Sequence, residues 1–336
     1  MREVAVMAAE DTLIIGVDSG GTKTIAGTVT LGGRLVGMGY GGATNTHFVS
    51  DQDAIASMRG AVAASLGRSA KDPSPEPAVK AIYISAPGFP DAVAEMALRD
   101  LCPNAVIKVE GDAPAAFRGA LPYGDGIVSL SGTGSFAAGL WKGKWLTNGG
   151  WGPLLGDEGS GYWIGLEALK AVALAADGRG PRTSLQGIFR RALHYSFDAE
   201  LRVFVYSRYV NRQRISALTT LVAQAARDGD QIAQDILRRA GIELARLAAN
   251  LSERLGVGSE PVNISLVGGV PLCNPLVVEA FQDALSRMVP QARYVSPQYE
   301  PWIGAIILGY ELAQAEVTPE RVQAIGENAA AMWEAQ

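Results

Sequence analysis

A glycine-rich stretch near the start of the chain has residue types that could bind phosphate. "DSGGTKT" (18–24) follows a predicted strand and contains Gly20, Gly21, Thr22 and Lys23. Glycine lets the backbone approach a ligand closely, so the N–H groups of this loop can face phosphate oxygens. Asp18, at the end of the strand, is placed to hold Mg²⁺ through water. The alternative is a hairpin turn without a ligand; the pattern is not a Walker A loop, which needs GxxxxGK[ST].

A second stretch of the same kind lies in the middle of the chain. "LSGTGSF" (130–136) places donor-rich residues between two predicted strands, namely Ser131, Gly132, Thr133, Gly134 and Ser135. Two such loops at matching points of a repeat could clamp a polyphosphate from both sides. "GMGYGG" (37–42) and "GTGSFA" (132–137) also match G-x-G-x-x-G/A, but no helix opens at their glycines, so we do not predict NAD binding.

Two further motifs follow predicted strands, and each has two interpretations. In "VEGDAPAAF" (109–117), Asp112 either caps a helix or supplies a carboxylate that accepts a hydroxyl proton during phosphoryl transfer. In "GGVPLCNP" (268–275), Gly268 and Gly269 either let a flat ring lie on the backbone or form a strand-to-helix turn.

A fifth stretch, "GGWGPLLGDEGSGYW" (149–163), has six glycines in fifteen residues. Glycine loses more backbone freedom on folding than any other residue, so this segment is costly to order. We therefore expect it to hold backbone very close to something else.

The elements that must position these motifs alternate between strand and helix. "GVDSGGTKTIAGTVTLGGRLV" and "GIVSLSGTGSFAAGLWKGKWL" both read as strand, turn, strand, turn, strand, which predicts two copies of one unit. The second copy carries a helical insertion at about 158–256, with an apolar stripe at Ile232, Ile236, Ala240, Leu244, Leu247, Leu251 and Leu255. The fold class is α/β, with two halves facing a cleft.

Composition restricts the class of protein. The 336 residues are 48% hydrophobic and 19% charged, enough for a large core and two domains. The net charge of -5 argues against nucleic acid or an acidic membrane as partner. Cys102 and Cys273 lack metal or redox spacing, the opening segment lacks a secretory pattern, and no apolar run approaches a membrane span. We expect a soluble cytoplasmic protein.

In this order, the motifs resemble those of the ASKHA group, which contains actin, heat-shock ATPases and sugar kinases. More narrowly, "GGWGPLLGDEGSGYWIG", with "ATN" (43–45) and "GDA" (111–113), resembles the N-acetylglucosamine kinase branch of the BadF/BadG/BcrA/BcrD ATPase family. The resemblance covers about residues 12–310. It implies duplicated ribonuclease H-like (actin-like ATPase) domains flanking a cleft: residues 1–119 joined by a C-terminal helix at 317–336, and residues 120–316 with the insertion.

The resemblance also implies an activity, transfer of phosphate from ATP, with Mg²⁺, to the 6-hydroxyl of N-acetylglucosamine. Asp112 matches the general base. The matched sugar contacts are Asn45, Gly150, Trp151 and Asp157, with Gly161 near the acetamido group. The matched phosphate contacts include Gly21, Thr22, Thr133 and Gly134, and the adenosine site is at Gly268 and Gly269. We expect a homodimer.

Within this resemblance, the glycine-rich stretch could surround a sugar. Asp157 would accept from sugar hydroxyls, and Trp151 would cover the apolar face of the ring or buttress the loop. The alternative is that Asp157 caps the following helix while Trp151 and Trp163 pack in the core; Glu158 is assigned to that helix's first turn. His47 replaces an aromatic residue common in the branch, so the identity of the sugar's 2-substituent stays open.

Other functions remain to be weighed. Glucosamine kinase and a broad hexose kinase are near alternatives. An ATP-driven activator with a bridging Fe–S cluster would need closely spaced cysteines, which Cys102 and Cys273 are not. A non-catalytic actin-like scaffold or sugar sensor would not need Asp112 and Asp157.

Overall fold

The computed structural model describes residues 12–68, 78–195, 198–206 and 211–334. They divide into two compact units. Unit 1 contains the described residues up to Gly124 together with those from Pro297 onward, and unit 2 contains Asp125–Ser296.

The strands and helices alternate as an α/β sequence requires. The strands are β1 (Leu13–Ser19), β2 (Thr24–Thr30), β3 (Leu35–Gly41), β4 (Val79–Ser85), β5 (Val106–Glu110), β6 (Gly126–Ser131), β7 (Ser135–Trp141), β8 (Lys144–Gly149), β9 (Val262–Val267) and β10 (Ala292–Tyr294). The helices are α1 (Asp51–Ser65), α2 (Asp91–Leu98), α3 (Asp112–Ala120), α4 (Gly161–Ala176), α5 (Leu185–Ala192), α6 (Asp198–Val205), α7 (Arg212–Ser216), α8 (Thr219–Arg227), α9 (Gln231–Leu255), α10 (Gly269–Cys273), α11 (Pro275–Met288), α12 (Pro301–Leu312) and α13 (Pro319–Glu334).

The two units have the same sheet topology. Unit 1 has the strand order β3-β2-β1-β4-β5, and unit 2 has the order β8-β7-β6-β9-β10. In each, the first three strands in sequence pair antiparallel, and the last two run parallel to the first. The duplication predicted from the sequence is therefore confirmed.

Strand β1 is apolar on both faces because helices cover both sides of its sheet. Ile15 and Val17 pack in a cluster with residues of α1 and α2. Ile14 packs with Trp302 and Ile306 of α12 on the opposite face. Such continuous apolar runs are typical of strands in helix-covered parallel sheets. Helices therefore pack on both faces of the sheet, and the loops that follow its strands lie at its edges.

In unit 2, the long helix α9 supports the sheet. It packs on β6, β7 and β8 and also against α11. Of the apolar stripe predicted along it, Ile236, Leu244 and Leu251 are fully buried or nearly so. Gly241 lies on the α11 side, where a Cβ would come 2.3 Å from the Val277 carbonyl oxygen. The insertion thus contributes both a sheet-supporting helix and the shorter helices α4 to α8.

The domain limits differ from the expected ones. The expected boundary was at 119/120 and the expected return to the first domain at 317, whereas the division falls after Gly124 and again before Pro297. The reason is α12, which packs on β1 and α3 and so belongs to unit 1. Helix α13 also lies in unit 1, and the last two residues of the expected 317–336 helix lie outside the described part.

Across the described parts of the chain, no helix combines the length and the apolar character that crossing a membrane requires.

The crossing of α12 and α3 gives a test of this packing. A Cβ on Gly304 would lie 2.0 Å from the Ala115 carbonyl oxygen, which is backbone and cannot swing away. We expect Gly304→Ala to lower the free energy of unfolding by about 1–3 kcal/mol. Thermal or urea unfolding measures this loss.

The matched control is Gly60→Ala in α1, where a Cβ meets nothing within 4 Å. Alanine favours helix by up to about 1 kcal/mol, so this variant should be as stable as the wild type or more so. Equal stability of the two variants would contradict the close approach at Gly304.

Candidate functional site

The first motif forms a tight hairpin in unit 1. Ser19 of β1 pairs with Thr24 of β2, and residues 20–23, the first hairpin, connect them. The Gly20 N–H donates to the Lys23 carbonyl at 3.1 Å. Thr22 and Lys23 are exposed, so a hydroxyl and a charge are available to a ligand.

Buried hydroxyls attach the 43–46 loop to this hairpin. The Ser19 hydroxyl bonds those of Thr24 and Thr44, the latter at 2.6 Å. The Thr44 N–H donates to the Gly20 carbonyl at 3.2 Å. All three hydroxyl residues are buried, and each polar group has a partner, as burial requires.

This attachment positions Asn45 with a defined orientation. The His47 backbone N–H donates to Asn45 Oδ1 at 3.0 Å. Because a backbone N–H can only donate, the carbonyl end of the amide faces His47 and the Nδ2 end faces away. The side chain lies on Gly88, where a Cβ would be 2.6 Å from Oδ1. The Nδ2 end of Asn45 is therefore the end that can donate to a ligand.

Carboxylates gather at the carboxyl edge of the unit 1 sheet. Asp18 on β1 is level with Ser85 on β4, and Ser85 is level with Glu110 on β5. Asp112, the first residue of α3, follows two residues later and is half-buried. Ligands of α/β sheets bind at this edge.

Glu110 is committed to structural contacts. It accepts a hydrogen bond from the Tyr83 hydroxyl and pairs with Lys108 Nζ at 3.0 Å. Of these three carboxylates at the strand ends, Asp18 and Asp112 remain for chemistry.

Burial shifts both of these carboxyl groups. It raises the pKa of Asp18 to about 6, with the Asp112 charge adding to the rise and Lys23 opposing it. Burial also raises the pKa of Asp112. Carboxylates with a raised pKa in α/β edges are frequent at sites that transfer protons.

Within the described ranges, no three His, Cys, Asp or Glu side chains converge to form a metal cage. Mg²⁺ commonly binds through one or two carboxylates, with water and phosphate oxygens completing its shell. Asp18, half-buried beside the first hairpin, fits that mode of binding.

The second motif forms the matching hairpin of unit 2. Ser131 of β6 pairs with Ser135 of β7, leaving residues 132–134 as the second hairpin. The Gly132 N–H donates to the Gly134 carbonyl at 2.9 Å.

The glycine-rich segment 149–163 holds this hairpin along its whole length. Its hydrogen bonds to residues 131–135 run from the Gly150 N–H to the Ser135 carbonyl (3.0 Å), from Ser135 Oγ to the Glu158 carbonyl (2.7 Å), from Ser131 Oγ to the Gly159 carbonyl (2.8 Å), from the Gly161 N–H to the Gly132 carbonyl (2.8 Å) and from the Tyr162 N–H to the Thr133 carbonyl (3.3 Å). The Ser131 hydroxyl is thus used to position the hairpin. The backbone of the segment therefore lies directly against this turn.

Helix α4 begins within the same segment. Ser160 is its N-cap, and the Ser160 hydroxyl accepts from the Trp163 N–H at 3.1 Å. The alternative in which Asp157 caps this helix is therefore wrong. The assignment of Glu158 to the first turn is also wrong, since Glu158 precedes the cap.

Asp157 is instead buried and paired. Its exposed fraction is 3%, and its backbone has a left-handed φ of 62°. The Ser135 N–H lies 3.5 Å from its Oδ1, and Arg212 Nη2 donates to its Oδ2. Sequence reasoning missed Arg212, because it belongs to the helical insertion and no local motif marks it.

Trp151 lies on the surface, with an exposed fraction of 73%. The following Leu154 and Leu155 are exposed as well, so the tip of the loop does not pack into the core. Gly150, which has a φ of 72°, permits the turn that leads to this tip. The alternative that Trp151 is a packed core residue is therefore wrong.

Gly268 lies against the second hairpin's leading strand. It has a φ of 108°, and a Cβ there would come 2.2 Å from the Ser131 carbonyl oxygen. Gly269 begins the short helix α10, and both glycines are exposed. Unit 2 thus brings together Gly150, Asp157, Gly161 and Gly268 around the second hairpin, as unit 1 brings Asp18 and Asn45 to the first.

Two units of one topology, each with a glycine hairpin after its first strand, define a duplicated ribonuclease H-like fold of the actin-like ATPase type. The chain belongs to the BadF/BadG/BcrA/BcrD ATPase family, whose model matches residues 15–309.

Relatives and a solved structure agree with this placement. An N-acetylmuramic acid/N-acetylglucosamine kinase of Clostridium acetobutylicum is 29% identical, with 88% of this chain and 97% of that one aligned. An N-acetyl-D-glucosamine kinase of Dictyostelium discoideum is 26% identical over the same shares. A solved structure from Chromobacterium violaceum, provisionally assigned as an N-acetylglucosamine kinase, is 26% identical with a TM-score of 0.69, covering 88% of this chain and 98% of its own.

The raised pKa of Asp18 predicts a pH-dependent stability. Its folded pKa of about 6 exceeds the ordinary value of 3.8, so the folded protein binds a proton more tightly than the unfolded chain. The resulting stabilisation is present below the ordinary pKa and is lost as pH rises through about 6. Asp18→Asn removes the buried charge. At about pH 8 the melting temperature of the variant should therefore exceed that of the wild type, and at about pH 4 the difference should be smaller.

Asp91→Asn, at an exposed position at the start of α2, is the control and should not melt at a higher temperature than the wild type at about pH 8, because a carboxylate at a helix N-terminus is not destabilising. A melting-temperature gain for Asp18→Asn that is the same at both pH values would contradict the raised pKa.

Proposed function

We propose that the protein is an ATP-dependent amino-sugar kinase that phosphorylates the 6-hydroxyl of N-acetylglucosamine. The observation that carries this proposal is the half-buried Asp112 carboxyl, with its raised pKa, at the carboxyl edge of the unit 1 sheet near Asp18. The activities named for the similar kinases support the class of substrate.

Asp112 is proposed as the general base. The 6-hydroxyl oxygen of the sugar forms a bond to the γ-phosphorus of ATP, and the bond between that phosphorus and the ADP oxygen breaks. The hydroxyl proton passes to the Asp112 carboxylate, and the electron pair of the broken bond leaves with ADP. Burial suits this role because it raises the pKa toward the working range of a base.

The two hairpins are proposed to bind the nucleotide. Gly20, Gly21, Thr22 and Lys23 would contact phosphate in unit 1, with Gly132, Thr133 and Gly134 doing so in unit 2. Asp18 would hold Mg²⁺, which when bound neutralises charge on the phosphate oxygens. Gly268 and Gly269, exposed at the start of α10, would lie against adenosine.

One side chain would donate hydrogen bonds to the sugar, and another would accept them. The Nδ2 end of Asn45 would donate to a ring or hydroxyl oxygen, because the Oδ1 end of the amide faces the His47 N–H and accepts from it. Asp157 would accept from hydroxyls, with Gly150 allowing close approach. Gly161 is buried against the second hairpin and would act on the sugar only through that hairpin. Trp151, exposed at the loop tip, would cover the apolar face of the ring.

The 2-substituent of the sugar separates the alternatives within this class. A free 2-amino group, as in glucosamine, is cationic and would favour a further carboxylate beside it. A coupled ADP-release assay over N-acetylglucosamine, glucosamine, glucose, mannosamine and N-acetylmuramic acid ranks the substrates. Absence of sugar-dependent ADP release with every one of them would overturn the proposal.

The cysteines do not support the alternative function, an ATP-driven activator with a bridging Fe–S cluster. Cys102 is buried, and burial raises the pKa of its thiol to about 11, which disfavours the thiolate that a cluster needs.

We propose a homodimer, which light scattering on the purified protein measures directly.

Removal of the proposed base should separate binding from turnover. Asp112→Asn keeps the shape of the side chain but cannot take a proton, so kcat should fall by about 10²–10⁴-fold. Calorimetric titration with N-acetylglucosamine and with a non-hydrolysable ATP analogue should give dissociation constants close to those of the wild type.

Asp91→Asn is the matched control, because Asp91 is also the first residue of a unit 1 helix but is exposed. It should retain wild-type kcat. Normal turnover by Asp112→Asn would eliminate Asp112 as the base.

A further inference from the structure

Arg212 is fixed in place by close helix packing. It is the first residue of α7, whose N-cap Asn211 accepts from the Arg214 N–H at 2.9 Å. Helix α7 approaches α4 so closely that a Cβ on Gly165 would lie 2.1 Å from the Ile215 carbonyl oxygen. The backbone that carries Arg212 therefore cannot shift without disturbing α4.

The guanidinium reaches Asp157 only because residue 134 has no side chain. A Cβ on Gly134 would lie 2.2 Å from Arg212 Nη2 and 3.0 Å from Asp157 Oδ2. The ion pair thus lies directly on the second hairpin. A larger residue at 134 would push the guanidinium away from the carboxylate.

The pair explains how a carboxylate tolerates this degree of burial. Asp157 is almost fully buried, whereas 31% of the Arg212 side chain is exposed. A buried carboxylate without a partner costs far more than one that is paired and hydrogen-bonded. The Ser135 N–H and Arg212 approach different oxygens of Asp157, so together they set the plane of the carboxylate.

The guanidinium also has an unused donor. Arg212 Nε is buried and has no hydrogen-bond partner in the described part of the chain. Buried donors without partners are rare in folded proteins and are often found at functional sites.

We propose that Arg212 is a positioning residue for substrate binding: it orients the Asp157 carboxylate so that its remaining lone pairs accept from sugar hydroxyls. This inference rests on the proposed sugar kinase function. Arg212 acts through Asp157, so its loss affects the sugar rather than the nucleotide.

The experiment compares steady-state kinetics of the wild type, Arg212→Met, Arg212→Lys and Asp157→Asn, and of the Arg212→Met/Asp157→Asn double variant. With N-acetylglucosamine, Arg212→Met should raise the sugar KM by about 10-fold or more, because the carboxylate loses its charged partner. The KM for ATP should stay within about twofold of the wild type. Arg212→Lys keeps the charge but lacks the planar guanidinium, so its sugar KM should lie between those of Arg212→Met and the wild type.

The double variant tests whether the two side chains act as one unit. Its sugar KM should match that of Asp157→Asn rather than the product of the two single effects. It also removes both charges together, so it leaves no unpaired buried carboxylate and remains informative if Arg212→Met does not fold. Arg246→Met, which removes an exposed arginine paired with Glu243 on α9, is the control and should behave as wild type.

The outcomes separate the two proposals. Wild-type protein that turns over no sugar overturns the proposed function, and this inference with it. A wild-type enzyme that is active while folded Arg212 variants keep the normal sugar KM overturns the positioning role alone. A raised ATP KM with a normal sugar KM also overturns it, because Arg212 would then serve the phosphates.

Discussion

The hydrogen bonds between the glycine-rich segment 149–163 and residues 131–135 are the constraint on which the unit 2 site depends. The segment meets the second hairpin with backbone amides, backbone carbonyls and the hydroxyls of Ser131 and Ser135. Such contacts require main chain beside main chain, which side chains larger than hydrogen would prevent. The entropy lost by ordering so many glycines is offset by satisfying the polar groups of a half-buried turn.

In unit 1, the hairpin is supported by side-chain hydroxyls rather than by backbone groups of a glycine-rich segment. Its first hairpin has the same place in the topology, but buried hydroxyls of Ser19, Thr24 and Thr44 support it instead of a glycine-rich segment. Asp18 and Asp112 lie at the carboxyl edge of the same sheet, where burial raises the pKa of both. The repeat therefore places a hairpin at the same point of each sheet, while each unit supplies different chemistry, carboxylates in one and a paired Asp157 in the other.

Much of the fold could be predicted because its signals are local. Strand β1 reads as an apolar run ending in a polar turn. A serine three residues before an acidic residue is a local helix-start pattern, and Ser50 does cap α1 by accepting from the Asp53 N–H. The domain limits were predicted less well. Helix α12 is apolar on nearly every face, so its sequence does not indicate which sheet it covers, and only its contacts with β1 and α3 assign it to unit 1.

By itself, the sequence determined the α/β class, the duplication and the positions of Asp18, Asp112 and both hairpins, because these follow from short-range patterns of glycine, hydroxyl and apolar residues. Only the tertiary structure decided that Ser160 rather than Asp157 caps α4, that Trp151 is exposed, and that Arg212 pairs with Asp157. Asp157 is not available as a cap because distant groups, the Ser135 N–H and Arg212, approach its carboxylate. Arg212 is 55 positions from its partner, and a contact formed by packing through a glycine leaves no periodicity in the chain.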